Sequence, residues 1–287
     1  MAKKDSLKQQ KFMSFMFRGK EIFKPLNTGH VDERVSCIRE YVANIYFYTK
    51  DGYTIMIDAG YNYDRLAEKM RWLDIRPESI KEIIITHQDT DHVGAIEVDS
   101  QGLFKTAKIY VGRVENEYLE GRVRRKVYWG LYKLPQVHIE NDKTLIEDGE
   151  IFYIHDIKIE AFLVPGHTWG HLVYLIDDAY LFTGDTIWFG ADGGYAFLNT
   201  LAEDRKLQSV SLKRLEEKLK KRNLSLKIIT GHTGWTDDFE FAFRHVDEIC
   251  NALRRKPKVQ DPKAPFDGFD ESGDTEEKAR TAILEKC

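Results

Sequence analysis

Lys81-Glu82-Ile83-Ile84-Ile85-Thr86-His87-Gln88-Asp89-Thr90-Asp91-His92-Val93-Gly94-Ala95 is the stretch on which the reading of this chain turns. Ile83 to Ile85 are three β-branched apolar residues in a row, the pattern of a short buried strand. The strand stops, and His87, Asp89, Asp91 and His92 follow within six residues. All four can ligate a metal, two through a neutral imidazole and two through a carboxylate. Carboxylates this close repel each other, and each needs solvation or a partner, so the cluster calls for a cation. One divalent metal or a pair of them meets that need.

Three later segments repeat the plan of a strand followed at once by a ligand. Ile159 to Val164 leads into Pro165-Gly166-His167-Thr168-Trp169-Gly170-His171, Ala179 to Thr183 into Gly184-Asp185-Thr186, and Leu226 to Thr230 into Gly231-His232-Thr233. The chain holds nine histidines, and five of them (His87, His92, His167, His171, His232) fall in these segments. Such clustering points to one metal site assembled at strand ends. The remaining four, His30, His138, His155 and His245, read as surface or packing residues.

The 287 residues are enough for one large domain or two small ones, and 42% apolar with 31% charged residues is ordinary globular composition. A net charge of −4 gives no drive towards nucleic acid or an anionic membrane. Cys37, Cys250 and Cys287 form no CxxC pair and suggest neither a disulfide framework nor a thiolate metal site. The first residues are too polar for a signal peptide and no apolar run is long enough to span a membrane, so a cytoplasmic protein is expected.

In chain order, residues 1 to 20 read as a polar lead-in and 21 to 255 as a single domain. Tyr41 to Thr49 and Tyr53 to Asp58 flank Lys50-Asp51-Gly52 and predict a hairpin. Leu66, Met70 and Leu73 predict a helix from Tyr63. Arg113 to Gln136 interleaves Arg113, Arg122, Arg124, Arg125, Lys126 and Lys133 with Tyr118, Tyr128, Trp129 and Tyr132. It reads as a helical insertion over the site, either a lid for an anionic substrate, a solvated helix or a homodimer contact. Gly190 to Thr200 reads as a loop in which Tyr195 is a candidate for touching substrate. Helices are predicted over Lys206 to Lys221 and Phe239 to Arg255, and residues 256 to 287 read as a loosely ordered tail with one short helix near Ala282.

The order His87-x-Asp89-x-Asp91-His92, His167, Asp185, His232, each after a strand, resembles the metallo-β-lactamase superfamily. Pro-Gly-His-Thr-x-Gly-His and Thr-Gly-Asp-Thr are similar to its glyoxalase II and lactonase-like branches. The resemblance covers roughly residues 35 to 250 and implies an α/β fold: a four-layer αββα sandwich of two mixed β-sheets flanked by helices, with a dinuclear site at one edge. Carried over, it gives one metal His87, Asp89 and His167, and the other Asp91, His92 and His232, with Asp185 and a hydroxide bridging both. It implies a hydrolase that cleaves a small ester, thioester, lactone or phosphodiester. Asp91 would also orient the nucleophile and act in proton transfer, as the catalytic residue. His171 is expected to support the ligands without binding metal, and Asp58 to hold the site by hydrogen bonds.

Where this family usually carries histidine, the chain has Asp89. Zinc is the first expectation for the two divalent ions, and the harder carboxylate brings iron and manganese into range. Its negative charge should also make the bridging hydroxide less acidic. Two other functions stand beside the hydrolase: an iron-dependent redox enzyme related to flavodiiron proteins, and a non-catalytic metal-binding regulatory protein. The former normally needs a flavodoxin-like domain, for which there is no room after residue 252, and the full ligand set argues against the latter. The expected partner is a small, anionic substrate, with no membrane and no dedicated nucleic-acid surface.

Overall fold

A computed structural model describes residues 22–97, 102–248, 266 and 268–287, together with Lys11 and Phe15. The lead-in over residues 1 to 20 therefore lies, those two apart, outside the described residues, as do residues 249–265. The first sheet takes β1 (Gly29–His30), β2 (Val35–Glu40), β3 (Ala43–Lys50), β4 (Tyr53–Ile57), β5 (Glu82–Ile85) and β6 (Lys108–Gly112). A small hairpin of β7 (Lys126–Val127) and β8 (Tyr132–Lys133) intervenes before β9 (Lys143–Ile146) closes the sheet. β1 to β4 pair antiparallel, whereas β4, β5, β6 and β9 run parallel.

The second sheet is built from β10 (Ile151–Ile154), β11 (Ile157–Leu163), β12 (Leu172–Ile176) and β13 (Tyr180–Phe182), all antiparallel. A side hairpin, β14 (Ile187–Gly190) and β15 (Gly193–Ala196), follows. β16 (Lys227–Ile229) then returns parallel to β13 and pairs antiparallel with β17 (Trp235–Thr236).

Alternation along the strands explains the layering. Ile84, Tyr46 and Tyr48 face the second sheet and pack against Ile159, Tyr174 and Phe182. Their neighbours Ile83, Ile85 and Phe47 point the other way, onto Leu66 and Met70 of helix α1 (Tyr63–Trp72). On the far side Val173, Leu175 and Ile228 meet Leu212, Leu215 and Leu219 of a second long helix (Arg205–Lys220). Burial on both faces is why the strands read as nearly continuous apolar runs. The result is the expected αββα sandwich of two mixed sheets.

Local signals hold in detail at several places. Asp51 and Gly52 both take positive φ (48° and 79°), the turn that Asp-Gly favours, and join β3 to β4. The Asn62 side chain caps α1 by accepting from the Arg65 N–H at 3.0 Å, and Asp204 does the same for the helix at Arg205–Lys220.

Four expectations are corrected. The 113–136 stretch is helical only over Arg113–Leu119, and then becomes the β7–β8 hairpin. Tyr128, Trp129 and Gly130 all take positive φ there, so the chain reverses instead of continuing a helix. Gly190 to Thr200 is not a plain loop, because it contributes β15. The helix expected from Phe239 ends at Phe243 within the described part. Residues 268–287 are not loosely held: Asp274 is buried, accepts from the Thr28 N–H (2.6 Å) and hydroxyl (2.7 Å), and pairs with buried Lys69 at 2.8 Å. The short helix of this segment lies at Glu276–Ala279. Among the described residues no helix is long and apolar enough to cross a membrane.

Candidate metal centre

The ligand-bearing segments converge at one edge of the sandwich. His87 follows β5 in the first sheet, while His167, Asp185 and His232 follow β11, β13 and β16 in the second. Asp91 and His92 sit on the single turn Thr90–Val93. Gly184 takes φ +50° and turns Asp185 inward. Gly231 needs to be glycine because a Cβ there would stand 2.7 Å from Asp185 Oδ1.

Six of the seven predicted ligands fall into two groups whose donor atoms lie within 4.8 Å of one another: His87, His167 and Asp185, and Asp91, His92 and His232. Asp185 reaches both. Its Oδ2 lies 3.8 Å from His87 Nε2, 3.6 Å from His167 Nε2 and 3.1 Å from His232 Nε2, and its Oδ1 lies 3.2 Å from His92 Nε2. Asp91 Oδ2 stands 3.5 Å from His232 Nε2.

The imidazoles of the second group are aimed by their far nitrogens. His92 Nδ1 donates to Asp58 at 2.8 Å, and Asp58 also accepts from the Thr86 N–H at 2.8 Å. His232 Nδ1 donates to the Val42 carbonyl at 2.6 Å. Both rings therefore present an Nε2 lone pair to the site. Asp58 does what the sequence predicted. His171 accepts the Asp185 N–H on its Nε2 at 3.1 Å, which uses its site-facing nitrogen and holds Asp185.

These donors fit a metal. Nε2 of His87, Nε2 of His92 and Oδ1 of Asp185 are buried without a hydrogen-bond partner, which is costly unless a cation takes the lone pairs. Without metal, a proton is the substitute. Burial opposes charge on His92, but Asp185 and Asp58 outweigh it and lift its pKa well above the ordinary imidazole value. His167 behaves oppositely: burial and then the nearby Arg125 press it down to about 4, so its ring is neutral at physiological pH.

Asp89 is held differently from the rest. Its carboxylate is gripped by the buried Arg125 guanidinium, Nε to Oδ1 at 2.9 Å and Nη2 to Oδ2 at 3.1 Å, and by Gln88 Nε2 at 2.7 Å. Oδ2 still faces His167 Nε2 at 3.2 Å and His87 Nε2 at 3.6 Å. Burial works against its charge, yet Arg125, then His167 and His87, hold its carboxyl well below the usual range.

Sequence reasoning missed two supporting residues. Arg125 stands between exposed Arg124 and Lys126, and nothing local distinguishes it. Glu115 is fully buried and joins two ligand loops, accepting from the Gln88 N–H at 2.8 Å and the Thr168 hydroxyl at 2.7 Å. Burial pushes its pKa up to about 7. Tyr195, a candidate for substrate contact, is instead buried, stacked on His245 and donating to Asp192 at 2.8 Å. The basic 113–136 stretch is also largely engaged within the fold: Arg113 pairs with Glu147, Arg122 with Glu117 and Arg125 with Asp89.

The metallo-beta-lactamase superfamily profile matches residues 38–262. The probable polyketide biosynthesis zinc-dependent hydrolase BaeB of Bacillus velezensis is 29% identical over 150 residues, 52% of this chain and 56% of that protein. The hydroxyacylglutathione hydrolase GloC of Haemophilus influenzae is 26% identical over 183 residues, 63% of this chain and 80% of that one. The match to BaeB thus spans about half of that protein's length. Among solved structures, a B3 metallo-beta-lactamase with an active-site glutamic acid shares the fold at a TM-score of 0.59 and 16% identity, covering 82% of this chain and 91% of that one.

Proposed function

This chain belongs to the metallo-β-lactamase superfamily, and we propose that it is a dinuclear metal-dependent hydrolase of small acyl substrates, thioesters first. The observation that carries this reading is the set of buried, partnerless donor atoms on His87, His92 and Asp185, at the meeting point of two three-residue ligand groups. His87, Asp89 and His167 would hold one ion and Asp91, His92 and His232 the other, with Asp185 shared. Two such ions supply an acidified water and a Lewis acid for the carbonyl oxygen.

The chain's own residues do the rest. Asp58 and the Val42 carbonyl fix the two imidazoles of the second group, and His171 fixes Asp185. Asp91 is more open than the other ligands, its side chain 22% exposed, which suits it to meet solvent and carry a proton to the leaving group. Trp169, 44% exposed in the loop between His167 and His171, offers an apolar surface beside the centre for an acyl chain. The names of the relatives favour a thioester and zinc. The free thiols Cys37 and Cys287 suit a reducing, cytoplasmic compartment.

The test is a panel of a hydroxyacylglutathione, an aryl ester, a lactone and an aryl phosphodiester, assayed with zinc- or manganese-loaded protein. Thioester cleavage that is abolished by chelator and restored by metal is the expected result. Metal-loaded protein inert towards the whole panel would overturn the reading.

A further inference from the structure

Arg125 is the one long cationic side chain in the described structure that reaches the ligand cluster, and it is only 2% exposed. It arrives from the β7–β8 hairpin, far in sequence from every ligand. The hairpin is fastened rather than mobile: Tyr128 N–H donates to the Thr200 carbonyl at 2.7 Å, Leu134 N–H to the Arg125 carbonyl at 3.0 Å, and Lys126 N–H to Glu203 at 3.2 Å. Four of the five guanidinium N–H groups are engaged. Nη1 donates to the Lys126 carbonyl at 3.2 Å, Nη2 to the Leu201 carbonyl at 2.6 Å, Nε and Nη2 span both oxygens of Asp89, and Nη2 also stands 3.2 Å from His167 Nε2. Only a planar fork can make this pattern, so lysine would not replace it.

The charges then close in a particular way. Asp89, Asp91 and Asp185 bring three carboxylates to one buried cluster, and Arg125 pairs with Asp89 alone. An isolated charge at this depth would be strongly disfavoured, so each of these two residues requires the other. We propose that Arg125 and Asp89 form a single neutral unit, in which Arg125 positions the carboxylate with Oδ2 towards His87 and His167 and cancels its charge. Asp89 then offers an oxygen donor at the first half of the centre without adding net charge to it. The expectation that a carboxylate at this position makes the centre more negative is thereby removed. This inference rests on the reading of the cluster as a metal centre, but the pair itself can be tested without metal.

The experiment is a double-substitution cycle, read first as urea unfolding of metal-free protein and then as zinc affinity in competition with a chromophoric chelator. In metal-free protein, Asp89→Asn and Arg125→Met should each lower the unfolding midpoint, and the double variant should lose clearly less than the sum. In the zinc titration, Asp89→His alone leaves the guanidinium unpaired beside three imidazoles. It should weaken the first ion by about 10–100-fold, and adding Arg125→Met should regain most of that loss. Arg125→Lys, which keeps the charge without the fork, should fall between wild type and Arg125→Met in both readouts.

A merely structural role for Arg125, bracing the hairpin through Leu201 and Lys126, gives another pattern. Asp89→His would then bind zinc as wild type does, Arg125→Met would not rescue it, and the unfolding losses would add. Any of these results overturns the proposal. If wild-type protein took up no zinc at all, the metal-centre reading would fail, while the unfolding cycle would still decide the pair.

Discussion

The two halves of the centre reach the same task by different construction. In the second half each imidazole is aimed locally, His92 by Asp58 from the end of β4 and His232 by the carbonyl of Val42. Both props stand at strand ends of the sandwich, Asp58 just after β4 and Val42 in the turn between β2 and β3. In the first half His87 Nδ1 meets the Thr86 hydroxyl at 3.1 Å, but His167 Nδ1 is buried without a hydrogen-bond partner, and the group beside it is a carboxylate clamped by an arginine from a distant hairpin. The second half is therefore held by the sandwich alone, whereas the first half depends, through Asp89, on a segment packed over it.

The largest expected effect removes the residue that the halves share. Asp185→Ala should abolish binding of both ions and reduce hydrolysis to background, read by metal analysis and by the thioester assay. Retention of one full ion would show that the halves are independent of Asp185. Next, Asp58→Ala takes away the direct prop of His92 in the second half and reaches His87 of the first only through the Thr86 hydroxyl. The affinity for the second-half ion should fall about 10–100-fold while the other is weakened clearly less. Equal weakening of both would erase the contrast between the halves. His171→Ala loosens Asp185 through its backbone without deleting a donor, so both ions should remain, bound more weakly than in wild type but far better than in Asp185→Ala. Losses equal to those of Asp185→Ala would make His171 a ligand.

The smallest effect is on stability. Glu115 has its pKa raised from 4.5 to about 7, so the folded state holds a proton that the unfolded chain gives up. Its contribution is thus present at low pH and is lost as pH rises from 4.5 through 7. Glu115→Gln, which cannot ionise, should gain in unfolding midpoint relative to wild type between pH 5 and pH 8. A difference that is constant with pH would show that Glu115 does not titrate in that window.

What was legible in the sequence follows the same division. His87, His167, Asp185 and His232 could be read because each follows an apolar strand, and Asp91 and His92 because they come within a turn after the first of these; strand ends at one edge of the sandwich are brought together by the fold. Asp58 was legible for the same reason. Arg125 was not, since burial of the middle residue in Arg124-Arg125-Lys126 depends on a hairpin whose turn runs through Tyr128 and Trp129 at positive φ. Aromatic and basic residues at loosely helical spacing suggested a helix there, and three-dimensional packing decided otherwise. The C-terminal segment was misread for a related reason. The acids and glycines of residues 268–287 look unstructured, but Asp274 finds Lys69 and Thr28 across more than two hundred residues of chain, a pairing that composition cannot reveal.

The two-ion centre is tested most directly by the metal content of protein purified without chelator or nickel affinity resin, measured by elemental analysis alongside His232→Ala. Two equivalents of divalent metal per chain are expected in the wild type and one in the variant. One equivalent or none in the wild type would contradict a two-ion centre built from these two halves.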